Sequence, residues 1–112
     1  MQTPDDLTTV VVLTTMPDED AAGELAAHLV EERQIACANI VSGVTSIYRW
    51  EGELKRDTEV LLVMKTTSTR AETLQVRIDE LHPYDVPEVL VLSVTGGGHH
   101  PYLAWVASEV AG

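Results

Sequence analysis

Phenylalanine is absent from this chain, and cysteine occurs once, at Cys37. A single thiol excludes an intrachain disulfide, which fits a reducing compartment. Basic residues are scarce: 7 Lys and Arg stand against 18 Asp and Glu, for a formal net charge of −11. Such a field repels phosphate backbones and anionic lipid surfaces, so neither nucleic acid nor membrane is an expected partner. The segment Met1 to Asp6 has no basic region, and the apolar run after it is too short for a signal peptide or a membrane span. The expected location is the cytoplasm. Nucleotide-binding loops are missing too. Gly96-Gly97-Gly98 is not followed by Gly-Lys-Ser/Thr, and no Gly-x-Gly-x-x-Gly opens a helix after the first strand, so the triple glycine reads as a hinge. No sequence logic sets a base against a Ser, Thr or Cys nucleophile, and no enzyme activity is expected.

What is present is a regular alternation of apolar runs and stripes. A length of 112 residues suits one domain. Leu, Val and Ala must do the packing. Residues 1 to 6 read as a frayed tail. Thr8 to Thr15 is a β-branched run of strand length, central in a sheet or buried on both faces. Asp18 is placed to cap a helix over about Glu19 to Gln34, striped by Ala22, Leu25, Ala26, Leu29 and Val30. Thr67-Ser68-Thr69 offers caps to a second helix, about Arg70 to His82, striped by Ala71, Leu74, Ile78 and Leu81. Pro83 stops it. Val89 to Val94 reads as a strand. Pro101 suits the first turn of a short last helix carrying Leu103, Val106, Ala107 and Val110.

The stretch from Cys37 to Thr67 organises the rest. It reads as two long strands joined at Glu51-Gly52, where glycine can take the positive φ of a two-residue turn. Each arm of some 13 residues spans roughly 40 Å at strand rise. Helices of about 16 residues reach only roughly 24 Å. Gly43 marks a bulge or bend in the first arm. Beyond it Val44, Ser46, Tyr48 and Trp50 share one side, and Thr45, Ile47, Arg49 and Glu51 the other. Part of this ribbon has nothing of its own chain to lie against, yet its tip carries Tyr48 and Trp50. A second copy of the chain is the expected cover. The element order β-α-β-β-α-β, with a small helix after it, is that of an α+β ferredoxin-like sandwich.

Few single residues stand out chemically. His28 is a lone helical imidazole. His99 and His100 are neighbours that point apart and make a poor chelating pair. Cys37 reads as a buried, inert thiol. Glu59 and Lys65 lie six apart on one strand, roughly 20 Å, so each needs its own partner elsewhere.

Taken together, Cys37-Ala38-Asn39-Ile40, Ser46-Ile47-Tyr48-Arg49-Trp50-Glu51-Gly52, Glu59 through Thr67, His82-Pro83-Tyr84-Asp85-Val86-Pro87-Glu88 and Tyr102-Leu103-Ala104-Trp105 resemble the CutA divalent-cation tolerance family, over about Val10 to Val106. The resemblance implies a homotrimer of ferredoxin-like subunits whose hairpins pair between copies. It also implies a likeness to P-II nitrogen-signalling trimers, which bind small ligands between subunits. Copper ligands proposed in some members occupy slots that here hold Thr14 and the pair Leu81-His82, so only His82 matches. The candidate metal ligands are therefore His82 and Cys37, for copper or zinc, with no cofactor required. The candidate inter-subunit cleft comprises Tyr48, Trp50, Glu59, Lys65, His82, Tyr84, Glu88, Tyr102 and Trp105. Two readings follow: a non-catalytic homotrimeric cation-tolerance protein with weak divalent-metal binding, or a P-II-like trimer that senses a small metabolite.

Overall fold

A computed structural model describes residues 8–112. The expected fray over residues 1–6 lies outside the described residues. The elements are β1 (Thr9–Met16), α1 (Glu19–Glu31), β2 (Cys37–Trp50), β3 (Glu53–Thr67), α2 (Ser68–Leu81), β4 (Leu90–Ser93) and α3 (His100–Glu109). The sheet order is β2-β3-β1-β4 with every neighbouring pair antiparallel, the ferredoxin-like arrangement.

The β-branched run of β1 makes it central, between β3 and β4. Its even positions Val10, Val12, Thr14 and Met16 are buried, and its odd positions Val11, Leu13 and Thr15 only partly so. Burial on both faces, one of the two expectations for this run, is therefore not met within one chain. The buried face meets the stripes of α1 and α2. Leu25, Leu29, Leu74 and Ile78 close over Leu62 and Met64 to form the main core. Val30, expected on the α1 stripe, is 44% exposed while Leu29 in the same turn is fully buried, so Val30 lies on the rim of the stripe.

Asp18 caps α1, its Oδ1 accepting from the Ala21 amide at 2.8 Å. The helix stops short of the expected Gln34. Arg33 takes a left-handed φ of 58°, Gln34 N–H donates to Leu29 O at 2.9 Å, and Arg33 N–H donates to Val30 O at 3.0 Å. This closing loop normally carries glycine or asparagine, so Arg33 gives no warning of it. It turns Ile35 into the core. The second helix starts at Ser68, earlier than expected, with Thr67 at its cap position but no side-chain cap bond.

The hairpin is as long as the sequence implies. β2 has 14 residues and β3 has 15, against 13 and 14 in α1 and α2. The molecule measures 51 × 27 × 23 Å in consequence. Its turn holds Glu51 at φ 50° and Gly52 at φ 82°, the two positive values of a type I′ reversal. The pairing slips between Val41↔Leu61 and Val44↔Glu59, and Gly43 has φ 75°. Ser42 and Gly43 thus share one place in the ladder as a bulge. Because of that extra residue, Asn39 and Val41 before it and Tyr48 and Trp50 after it all project from the same face of the sheet.

That face, opposite α1 and α2, is covered at one end by α3. Tyr102 reaches Cys37, and Val106 and Val110 are buried with Ala36 in a small second core. The C-terminal carbonyls of α3 are tied back by Arg33 Nη1 to Glu109 O at 3.0 Å and Arg70 Nε to Val110 O at 2.7 Å. These cations meet the negative end of the helix dipole. Among the described residues, only the loop after α2 lies against the remainder of the face, which is otherwise open.

Candidate functional site

The open part of the face holds a groove of about 640 Å³ between the distal hairpin and the loop after α2. β2 supplies Ser46, Tyr48 and Trp50, β3 supplies Asp57 and Glu59, and the loop supplies Tyr84, Asp85, Val86 and Glu88. The bulge aims the first set into the groove, and Pro83 and Pro87 hold the loop against it by limiting its backbone. Two tyrosine–carboxylate bonds order it. Tyr84 Oη donates to Glu59 Oε2 at 2.7 Å, and Tyr48 Oη donates to Asp57 Oδ2. Tyr48 faces Lys55 directly and Asp57 diagonally, within reach of a long side chain.

The phenols respond to this setting. Partial burial, then the Glu59 carboxylate, pushes the Tyr84 hydroxyl well above the ordinary tyrosine range. The bond to Asp57 raises Tyr48. Neither phenol ionises near neutral pH, so both remain donors to their carboxylates.

His82 stands behind the groove, 8% exposed, its ring 4.8 Å from that of Tyr84. Both ring nitrogens are engaged. Nε2 lies 2.8 Å from Thr15 O, and Nδ1 accepts from the Tyr84 amide at 3.1 Å. The neutral tautomer with hydrogen on Nε2 satisfies both bonds. Burial drives the imidazole pKa below its ordinary value. A metal at His82 would have to displace one of these partners.

The second candidate ligand lies elsewhere. Cys37 faces Lys65 in the ladder, while Thr15 faces Leu61, four residues further along. That is roughly 13 Å at strand rise, so Cys37 and His82 cannot share an ion within one chain. Cys37 is half-buried and not the fully buried thiol expected, because α3 only partly roofs its end of the sheet. Its Sγ lies 3.4 Å from Tyr102 Oη, and Tyr102 packs on Trp105 with ring centroids 5.7 Å apart. The contact with Cys37, more than burial, pushes the Tyr102 pKa up to about 12. Lys65 bonds across the ladder to Asn39 Oδ1. Glu59 and Lys65 thus have separate partners, Tyr84 and Asn39. Thr14 is fully buried on the helix side of β1, out of reach of the groove, and its hydroxyl has no partner among the described residues. Among the described residues no three of His, Cys, Asp and Glu converge to hold a metal ion.

The nine residues expected in one cleft therefore divide. Tyr48, Trp50, Glu59, Tyr84 and Glu88 line the groove, with His82 beneath. Lys65, Tyr102 and Trp105 gather with Cys37 at the α3 end. Asp57 and Asp85 were not among the candidates. Asp57 was discoverable, since it alternates with Glu59 on one strand and shares its face.

Comparison with known proteins agrees with this geometry. A family model described as CutA1 divalent ion tolerance protein matches residues 10–109. A divalent-cation tolerance protein CutA from Thermus thermophilus is 50% identical over 96 residues, covering 86% of this chain and 92% of its own. The chloroplastic protein CutA of Arabidopsis thaliana is 43% identical over 100 residues, covering 89% of this chain and 54% of that longer protein. The solved structure of a divalent cation tolerance protein from Thermus thermophilus superposes with a TM-score of 0.88 at 47% identity, covering 92% of this chain and 99% of its own. The chain belongs to the CutA divalent-cation tolerance family.

Proposed function

We propose that the chain works as a homotrimeric, non-catalytic cation-tolerance protein of the cytoplasm, binding divalent copper or zinc weakly at sites completed between copies. The observation that carries this reading is the open sheet face. It combines half-exposed apolar side chains on an edge strand, Leu90 at 51% and Leu92 at 50%, with an aromatic hairpin tip where Trp50 is 49% exposed. Apolar side chains left half exposed at both ends of one sheet face fit an association surface. Weak metal binding follows from the donor set. One chain offers Cys37 and His82 too far apart to cooperate, so an ion needs donors from a second copy.

Calorimetric titration with Cu(II) and Zn(II) tests the metal half. Heat is expected, reduced by His82→Ala or Cys37→Ser. Titrations without heat and without a shift in melting temperature remove that half and leave assembly standing. A second reading, a P-II-like trimer that binds a small metabolite, is favoured by the groove, whose volume falls in the range of small-molecule sites.

A further inference from the structure

The groove lining has an uneven chemistry. Four carboxylates, Asp57, Glu59, Asp85 and Glu88, line it, and no Lys, Arg or His does among the described residues; Lys55, opposite Tyr48, pairs instead with Glu53 at 3.2 Å. Three aromatic rings, Tyr48, Trp50 and Tyr84, stand among them, and Thr15, Ser46, Ile47 and Val86 complete the lining. A bare divalent ion suits this lining poorly, because no three of its acids converge at ligating distance among the described residues. The acids are instead spread around a space far larger than an ion, with ring faces between them. An extended organic cation matches that pattern. Its charged ends pair with separated carboxylates, and its methylenes or its delocalised charge lie on aromatic faces.

Two of these acids, half-buried Glu59 and exposed Asp57, are also held in place in advance. Tyr84 Oη and Tyr48 Oη each donate to one oxygen, of Glu59 and Asp57 respectively. A hydroxyl that orients a carboxylate leaves that group's remaining lone pairs free to accept from an N–H donor. Each acid therefore keeps capacity for a second partner, and the rotamer freedom it would lose on binding is already reduced.

We infer that the groove between the distal hairpin and the 83–88 loop binds an organic ammonium or guanidinium cation through the Tyr84–Glu59 and Tyr48–Asp57 pairs, with the indole of Trp50 as a stacking wall. This names the ligand class for the small-ligand reading above and rests on it. The groove itself is built from one chain. Two sources share the chemistry: a free aliphatic polyamine, or a Lys or Arg side chain of a second copy.

The experiment titrates spermidine into the wild-type protein, with calorimetry and indole fluorescence as readouts, Mg²⁺ at matched ionic strength as control, and sedimentation in parallel. The variants are Glu59→Gln, Tyr84→Phe as a second probe should the first fail to fold, and Glu72→Gln. Glu72 is an exposed acid on α2, so Glu72→Gln changes net charge equally. With a free amine as ligand, spermidine binds, Glu59→Gln weakens it about tenfold, Tyr84→Phe weakens it less, and Glu72→Gln leaves it unchanged. With a second copy as the source, spermidine gives no heat and Glu59→Gln lowers the assembled mass. Equal weakening by Glu72→Gln, displacement of spermidine by Mg²⁺ at matched ionic strength, or no response of either heat or mass to Glu59→Gln overturns the inference. A wild-type mass of one chain together with spermidine binding would remove the trimer and keep the groove.

Discussion

Replacing Leu92 by aspartate tests self-association at the edge strand β4. Leu92 pairs with Val11 and Leu90 with Leu13, so both project from the open face of the edge strand β4. Each is half exposed. Covering the remaining half of a leucine yields about 1 kcal/mol, at roughly 25 cal/mol per Å². Leu90 and Leu92 together therefore supply roughly 2 kcal/mol at each seam between copies. Leu92→Asp removes about 1 kcal/mol of that and obliges a carboxylate to lose water on association, which costs a further 2 kcal/mol or more. The sum of about 3 kcal/mol weakens each seam on the order of a hundredfold. Leu92 touches none of the main core, so the single chain should keep its fold.

The assay is sedimentation velocity at about 1 to 100 μM, a range wide enough to move a weakened association across its midpoint. The wild-type protein is expected at three chain masses, and Leu92→Asp at lower mass with rising weight at the top of the range. Circular dichroism should not distinguish them. Two results refute the reasoning: a wild-type protein that sediments as one chain at every concentration, or a Leu92→Asp protein that assembles as the wild type does. In the first case the open face is simply wet. In the second, β4 lies outside the seam.

Four further measurements follow from the structure. Burial lowers the folded pKa of His82, so the unfolded chain binds the extra proton first as pH falls. Stability should be full above the ordinary histidine pKa and decline as pH drops from about 6.5 through the lowered folded value. Urea unfolding at a series of pH values should lose this component in His82→Asn. Tyr102 should titrate near 12 by ultraviolet absorbance, and Cys37→Ala should return it toward the ordinary tyrosine value, since the thiol contact is the largest cause of its shift. Glu51 holds φ 50°, a conformation asparagine tolerates better, so Glu51→Asn should stabilise the chain by roughly 0.5 kcal/mol in urea unfolding. Ile78→Ala empties a fully buried site and should cost about 3 kcal/mol by the same assay.

The skeleton of this fold was legible because local rules and the tertiary result agree. The β-branched run of β1, the Asp18 cap, the Glu51-Gly52 turn and the Gly43 bulge each announce themselves within a few residues, and each is used as announced. What was hidden depends on contacts distant in sequence. Nothing in the sequence places Tyr102 on Cys37, 65 positions earlier, or sets α3 on the sheet face opposite the other helices. The end of α1 was misjudged for a different reason. Its left-handed residue is Arg33, and the signal usually read at that position is glycine. The site was legible in composition but not in grouping. Alternation along one strand puts Glu59 with Asp57 and Lys65, but only the folded loop shows that Tyr84 belongs to Glu59.

The division of the candidate residues bears on how a tolerance protein could treat metal ions. A tight site needs several donors fixed at about 2.0 to 2.3 Å from one point. This chain spends its donors otherwise. His82 uses both nitrogens to pin the start of the 83–88 loop to β1, which holds Tyr84 where it can reach Glu59. Thr14 lies fully buried on the helix face. Drawing His82 into coordination would free the loop and loosen the groove, so metal and groove ligand would oppose one another through a shared element. That coupling is measurable and reciprocal. Zn(II) at saturating concentration should weaken spermidine binding, spermidine should weaken Zn(II) binding by the same factor, and His82→Asn should abolish both effects. If each ligand binds unchanged in the presence of the other, His82 does not link them.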